Sequence, residues 1–442
     1  MSFGSVFTGY HMKKEWLNAF KKTVEYDSKE CSRHIFVLLK WIVMGIITGV
    51  IVGIVCSGFS YALKYANAFR DSHGSIMFAL PIAGLLIVFL YRFFHDTNDT
   101  GTNMVIASIH SSSEISHKMA PLIFVTTVLT HLCGGSAGRE GAAIQLGGSI
   151  TNALANIKWL KFTPNDHRIN IMCGMSAGFS ALFGTPLASA FFSLEVISVG
   201  IMHYSALVPC VIASYVAHFI ASSLKIEPEH FTVLSIPTIS PINMLKVLIL
   251  GALLGAVSIV FCAAMHNAGK LYKRAFKNQY IRIFVAGCLV IALTLLLGTN
   301  MYLGSGMNII SGVFETDKAL PFYVFLLKIV FTAVTLGGGY KGGEIVPSFC
   351  IGAAFGAAVS GLFGLPVTLM AACGMVGVFC GVTNCPVTSL LIAFELFGFE
   401  GMPYYLMTIA VSYMFSGYFG LYNSQRIMYS KTQTQFVNTN AH

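Results

Sequence analysis

The stretch "CGMSAGFSALFGTPLASAFFSLEV", Cys173–Val196, returns later in the chain as "CGMVGVFCGVTNCPVTSLLIAFEL", Cys373–Leu396. Cys, Gly, Met, Phe, Pro and Glu recur at a constant spacing of 200 residues, so that Pro186 answers Pro386 and Glu195 answers Glu395. Upstream, "GAAIQLGGS" from Gly141 aligns with "VPSFCIGAA" from Val346 at a spacing of 205, pairing Gly147 with Gly352. Self-similarity of this kind marks a duplicated unit. The expected halves are residues 38–225 and 240–421, joined by a linker at 226–239.

Both halves are apolar. Of 442 residues, 55% are hydrophobic and 10% charged, and apolar runs recur from about residue 38 to residue 421. Such runs are long enough for membrane helices of roughly 20 residues, so the expected fold is one all-α polytopic domain in a lipid bilayer. Residues 1–37 are polar and basic, without the apolar core and small-residue cleavage site of a secretory signal; the first span then serves as its own signal. The net charge of +9 comes from basic residues at span ends. Lys13, Lys14, Lys21, Lys22, Lys29, Arg33 and Lys40 precede the first span, and Lys270, Lys273, Arg274 and Lys277 follow a later one. That pattern reads as membrane orientation and not as a nucleic-acid surface. The 11 cysteines show no CxxC pairing and read as free thiols packed as small hydrophobes. With no HExxH and no histidine cluster, neither metal nor cofactor is expected.

Charge also relates the halves. The basic N-terminal segment places the start of the first span, about 41–66, in the cytoplasm, whereas the basic segment 270–282 lies at the end of the matching span, about 243–265. Those spans then cross in opposite directions. The linker "IEPEHFTVLSIPTISP" carries Glu227 and Glu229 and is poor in lysine and arginine, as expected on the external side. Two inverted-topology repeats place a substrate site near mid-membrane, where broken helices meet. Both termini are expected in the cytoplasm of a cell whose inner (plasma) membrane holds the protein.

Three glycine-bearing segments interrupt the apolar pattern: "GTNMV" at Gly101–Val105, "GREGA" at Gly138–Ala142 and "GGEIVP" at Gly342–Pro347. Each reads as a helix start, and Pro347 suits a first helical position, where its missing N–H has no partner to lose. Non-helical backbone at membrane depth is tolerated where it lines a cavity. Free N–H groups at three such starts, with positive dipole ends behind them, make an anion site without a full fixed charge. The plainer alternative, glycines serving close helix packing, does not call for two of the three segments to carry a glutamate.

These residues resemble the CLC family of anion channels and proton-coupled antiporters: "GREG" followed by "QLGGS", the "GTPLA" segment running to Glu195, "GGEIVP", and a late "LYNS" match it in order and spacing. The resemblance implies a homodimer with one anion path per subunit, and a chain that ends without the cytoplasmic regulatory domains some members append. Where the family usually has GSGIP this sequence has "GTNMV", and where it has GIFAP this sequence has "GEIVP". Both departures resemble the bacterial fluoride/proton antiporter branch, often called CLC-F. On that resemblance Glu140 is the gating, proton-coupling glutamate and Thr102 holds the central-site position, with Asn103 beside it. Glu344 is the branch's extra glutamate, followed by Ile345 and Val346, and Tyr422 is the central tyrosine. Gly138, Arg139 and Gly141 complete the anion-site loop around Glu140. Chloride/proton members commonly carry a second acid directly after the residue matched by Glu195; here it is Val196. Val346 departs from the branch, which often has threonine there.

The resulting expectation is a transporter, not an enzyme, that exports fluoride from the cytoplasm in exchange for protons. Fluoride is a strong hydrogen-bond acceptor, and Asn103, Thr102, Tyr422, a protonated Glu344 and backbone N–H groups all offer donors. The alternative is a chloride-transporting member, exchanger or channel. A more distant one is an intramembrane enzyme using Glu140 and Glu344 as acid and base, for which no nucleophile or metal constellation is present. Glu195 and Glu395 read as buried ties to free backbone ends. Arg139 either pairs with Glu140 or faces the external water at the loop, a structural role being favored, and for Tyr422 an interfacial anchor competes with the pore.

Overall fold

A computed structural model of the protein describes residues 4–96, 100–111, 115–157 and 162–442, with side chains from residue 30 onward. The side chains of Lys13, Lys14, Lys21, Lys22 and Lys29, on which the expected orientation partly rests, lie outside the described residues. Residues up to Met44 form one compact unit and residues 45–442 a second. The first helix, α1 (Gly4–Ser72), is continuous through both ranges. Six described helical segments are long and apolar enough to cross a membrane, among them Glu30–Ser72, Pro241–Ala275 and Gln279–Leu297.

Within the second unit the chain is a succession of helices, α2 (Leu80–Phe93), α3 (Thr102–Ser111), α4 (Met119–Leu132), α5 (Glu140–Ala155), α6 (Pro164–Phe183), α7 (Pro186–Glu195) and α8 (Leu207–Ser223). They are followed by α9 (Pro241–Ala275), α10 (Gln279–Leu297), α11 (Met307–Thr316), α12 (Tyr323–Gly338), α13 (Ile345–Phe363), α14 (Val367–Thr383), α15 (Pro386–Phe397) and α16 (Met402–Phe415). The later series repeats the packing of the earlier one. A side chain at Gly147 of α5 would collide with the carbonyl of Gly174 on α6, and one at Gly352 of α13 would collide with that of Gly374 on α14. Glycine at these crossings lets two backbones touch, which is how helices pack tightly where lipid supplies no hydrophobic drive. Gly49 of α1 lies against Val216 of α8, and Gly251 of α9 lies against Val411 of α16.

The breaks between helices repeat as well. Helix α6 ends at Gly184, with φ of 80°, and Pro186 opens α7; helix α14 ends at Asn384, with φ of 59°, and Pro386 opens α15. Glycine and asparagine are the residues that tolerate this left-handed stop, and proline in the first turn forfeits no helical hydrogen bond. The N–H groups exposed at each start are taken by a glutamate of the other half. Glu195 accepts from Val387 and Thr388 N–H at 3.0 and 2.8 Å, and Glu395 accepts from Leu187 and Ala188 N–H at 2.9 Å each. Both glutamates are therefore ties to free backbone ends.

The expected all-α description needs one correction. Ser198–Val199 (β1), Arg426–Tyr429 (β2) and Phe436–Asn440 (β3) form a small sheet in the order β1-β2-β3, parallel then antiparallel. The fold is mostly helical. The tail "RIMYSKTQTQFVNTN" sets two short segments, each with an aromatic and β-branched residues, on either side of a polar turn, and these residue types suit strands better than a helix. The cysteines are free thiols; Cys31 and Cys288 are exposed and the others buried.

Candidate functional site

The two loops that precede α5 and α13 pair with each other. Gly138 N–H donates to Gly343 C=O and Gly343 N–H donates to Gly138 C=O, each at 2.7 Å. These residues are 205 positions apart, the spacing of the sequence repeat. The bridge lays the starts of α5 and α13 side by side, with Arg139 and Glu344 as the residues just before each helix. It also requires glycine: a side chain at Gly138 would meet Pro347 Cδ at 2.9 Å and Glu140 Oε2 at 3.1 Å.

Helix α3 brings its start to the same point. Gly101, at φ of 72°, turns the chain into α3, and Thr102 is its first residue. The position a Cβ would take on Gly141 lies 2.9 Å from Gly343 Cα, 3.1 Å from Thr102 Oγ1 and 3.5 Å from Glu344 Oε2. Three helix starts thus surround Gly141, and their first-turn N–H groups have no partner within their own helices. Pro347 is the third residue of α13 and not the first as expected. The first intrahelical bond there is Ser348 N–H to Glu344 C=O at 3.1 Å, so Pro347 still falls within the turn whose N–H groups are free.

Glu140 is fully buried. Its Oε2 accepts from Arg139 N–H at 3.1 Å and its Oε1 from Arg139 Nε at 3.3 Å, while Arg139 Nη2 donates to Glu229 Oε1 at 2.8 Å. Arg139 therefore pairs with Glu140 and also ties the loop to the linker. Tyr422 is 1% exposed, which removes the interfacial-anchor alternative, and its hydroxyl has no hydrogen-bond partner among the described residues. Glu344 and Glu140 are within electrostatic reach of that hydroxyl. Asn103 joins the same place differently from expectation: its Oδ1 accepts from Ser424 N–H at 3.0 Å, fixing the start of α3 to the segment after Tyr422 and leaving its amide NH2 as the donor.

Two cavities approach this center. One, of about 480 Å³, is lined by Arg139, His131, Glu229, Lys64 and Val346 among others. The other, of about 400 Å³, is lined by Gly101, Gln145, Glu344, Lys273, Arg282 and Lys341 among others. Thr102, Glu140, Gly141, Ile345 and Tyr422 are buried or nearly so and line neither. All ten sequence-predicted residues therefore converge on one region. The family model described as voltage gated chloride channel matches residues 83–417. The chain belongs to the CLC family. CLC relatives are similar over nearly the whole chain. A chloride/fluoride channel protein of Pseudomonas syringae pv. tomato is 34% identical over 399 residues, 89% of this chain and 88% of that one. The crystal structure of a CLC-type fluoride/proton antiporter superposes with a TM-score of 0.84 at 34% identity, covering 88% of this chain and 98% of that one. A slow cyanobacterial chloride/proton antiporter shares the CLC fold, with a TM-score of 0.75 at 20% identity over 85% of this chain and 94% of that one.

Several residues around this candidate site are not singled out by the sequence. Gln425 is buried, and its Nε2 donates to Val196 C=O and Thr383 C=O at 2.8 Å each, holding the strand that follows Tyr422. Gln145 lies beside Gly101, and its Oε1 is buried without a hydrogen-bond partner among the described residues. His131 Nε2 is 3.3 Å from Gly138 C=O. Lys328, in the middle of the apolar helix α12, is fully buried and donates to Ser136 Oγ, Tyr302 C=O and Gly304 C=O at 3.0, 3.1 and 2.8 Å. A lone lysine within "YVFLLKIVFTAVTLGG" was the available signal, since an ionizable residue inside a membrane helix marks a functional or architectural site.

Proposed function

We propose that the chain is a proton-coupled antiporter that exports fluoride from the cytoplasm against protons. The observation that carries this reading is Glu140: a buried carboxylate at the meeting of three helix starts, with Glu344 and the Tyr422 hydroxyl close by and a cavity on either side. Ionized, the carboxylate competes with an anion for the donors at those helix starts; protonated, it vacates them. One group then exchanges protons for anions, which couples opposite flows. Fluoride is favored over chloride by the "GTNMV" start of α3, by Glu344, by Val196 in place of a second acid, and by the 34% identity to the CLC-type fluoride/proton antiporter of known structure.

The remaining features fit the same reading. The reciprocal contacts between halves support two inverted repeats, with the expected boundaries at 38–225 and 240–421. The basic cavity beside Glu344 is taken as the cytoplasmic approach and the cavity bearing Glu227 and Glu229 as the external one, in keeping with the positive-inside bias. A homodimer with one path per subunit and both termini in the cytoplasm complete the proposal.

A second reading, a chloride-transporting CLC protein, is favored by Val346, which offers no hydroxyl where the branch often has threonine. Purified protein in liposomes loaded with equal fluoride and chloride decides between them. Fluoride leaving well ahead of chloride supports the antiporter reading; rapid chloride flux without fluoride preference overturns it.

A further inference from the structure

The cation that holds Glu140 is shared with a carboxylate from the linker between the halves. Arg139 Nε is 3.3 Å from Glu140 Oε1, and Arg139 Nη2 is 2.8 Å from Glu229 Oε1, so the guanidinium sits nearer the linker acid. Glu140 is fully buried, whereas the Arg139 and Glu229 side chains are each 24% exposed. We propose that Glu229 is a positioning residue for proton coupling: by competing for Arg139, it sets how readily Glu140 gives up the arginine and takes a proton. The inference rests on the proton-coupled reading above.

The linker is built to keep Glu229 in place. Pro228 packs directly against Gly184, the left-handed stop between α6 and α7, and Phe231 N–H donates to Leu396 C=O at 2.9 Å. The Phe231 ring is buried against Phe314 and Phe397, at ring-center distances of 4.9 and 6.3 Å. Glu229 is therefore held on both sides of its own position. The other charged and titratable groups around the loop include Lys328 from α12, bonded to Ser136, Arg70 from α1, bonded to the His131 carbonyl, His131 itself from α4, Glu344 from the start of α13 and Tyr422 from the C-terminal segment. Lys64, Asp71, Lys225 and Glu227 line the shared cavity. None of these makes an ion pair with Arg139; among the described residues its partners are Glu140 and Glu229.

The sign of the effect follows from Coulomb's law. Without the Glu229 charge, Arg139 acts fully on Glu140 and favors its ionized form, so protonation requires a higher proton concentration. The test is the pH dependence of fluoride efflux from liposomes for the wild type, Glu229→Gln, Glu229→Asp, and Glu229→Gln combined with Glu140→Gln. The expected result for Glu229→Gln is a half-maximal pH below that of the wild type, the direction that follows from losing one nearby like charge. Glu229→Asp should fall between wild type and Glu229→Gln, which lets the Asp variant carry the test if Gln fails to fold. On the Glu140→Gln background, Glu229→Gln should produce no shift. An unmoved midpoint in a proton-coupled protein, or a shift that persists without Glu140, overturns this inference alone. A wild type with no proton dependence overturns the functional reading and this inference with it.

Discussion

Glu195 caps the helix that carries Glu395, and Glu395 caps the helix that carries Glu195. Each carboxylate accepts two backbone N–H groups from a helix that begins with proline, and Thr388 Oγ1 adds a 2.6 Å bond to Glu195. The exchange locks α7 to α15 end over end and joins the two most closely matched segments of the sequence. Removing either acid leaves two N–H groups without acceptors in a largely buried place. Glu195→Ala should cost about 3 kcal/mol, and Glu395→Ala somewhat less, because Glu195 is the more buried and makes the extra bond. Thermal unfolding of the detergent-solubilized protein measures this. No loss in either variant would show that the caps do not bear on stability, and equal losses would show that the extra bond and deeper burial of Glu195 add nothing.

Glycine crossings give a sharper contrast. Gly147→Ala places a methyl group against the Gly174 carbonyl, and backbone on both sides cannot yield cheaply. Gly361→Ala, also in a helix, meets nothing within 4 Å. The first should abolish accumulation of folded protein in the membrane, and the second should leave it unchanged or slightly raised, since alanine favors helix. Fluorescence-detected gel filtration of tagged variants compares them directly.

Lys328 should prove architectural. Its ammonium satisfies Ser136, Tyr302 and Gly304, linking α12 to the loop just before Gly138. Lys328→Met leaves those three oxygens without their donor and should lower stability by about 2 kcal/mol or more. Unfolding temperature is the readout, and an unchanged value would point instead to a lysine kept for the ion.

Tyr422 separates stability from transport. Its buried hydroxyl has no protein partner among the described residues, so Tyr422→Phe removes no internal hydrogen bond and should change stability by less than about 0.5 kcal/mol. If the hydroxyl donates to the anion, fluoride flux falls several-fold while the unfolding temperature holds. Loss of stability together with flux would assign Tyr422 to packing.

Much of this was legible in the sequence because the signals are local. Gly101, Gly138 and Gly343 lie within a few residues of the helix starts they permit, and proline and glycine punctuate helices by backbone geometry alone. The sequence repeat pairs Gly147 with Gly352 and Gly174 with Gly374, whereas the crossings they form are visible only in the structure. What could not be read depends on partners far apart in the chain. The Arg139–Glu229 pair spans 90 residues and the Gln425–Val196 bond 229. Neither residue type announces its partner. The C-terminal hairpin is hard to read from sequence because its short strands gain their order from β1, a two-residue strand that carries no sequence signal of its own.

The central claim is exchange, and simultaneous recording of fluoride and protons from reconstituted liposomes tests it most directly. With an outward fluoride gradient and no other driving force, fluoride efflux should drive protons inward in a fixed ratio, and Glu140→Gln should abolish the proton movement. Fluoride efflux with no accompanying proton uptake in the wild type, or stoichiometric proton coupling preserved in Glu140→Gln, would contradict the account.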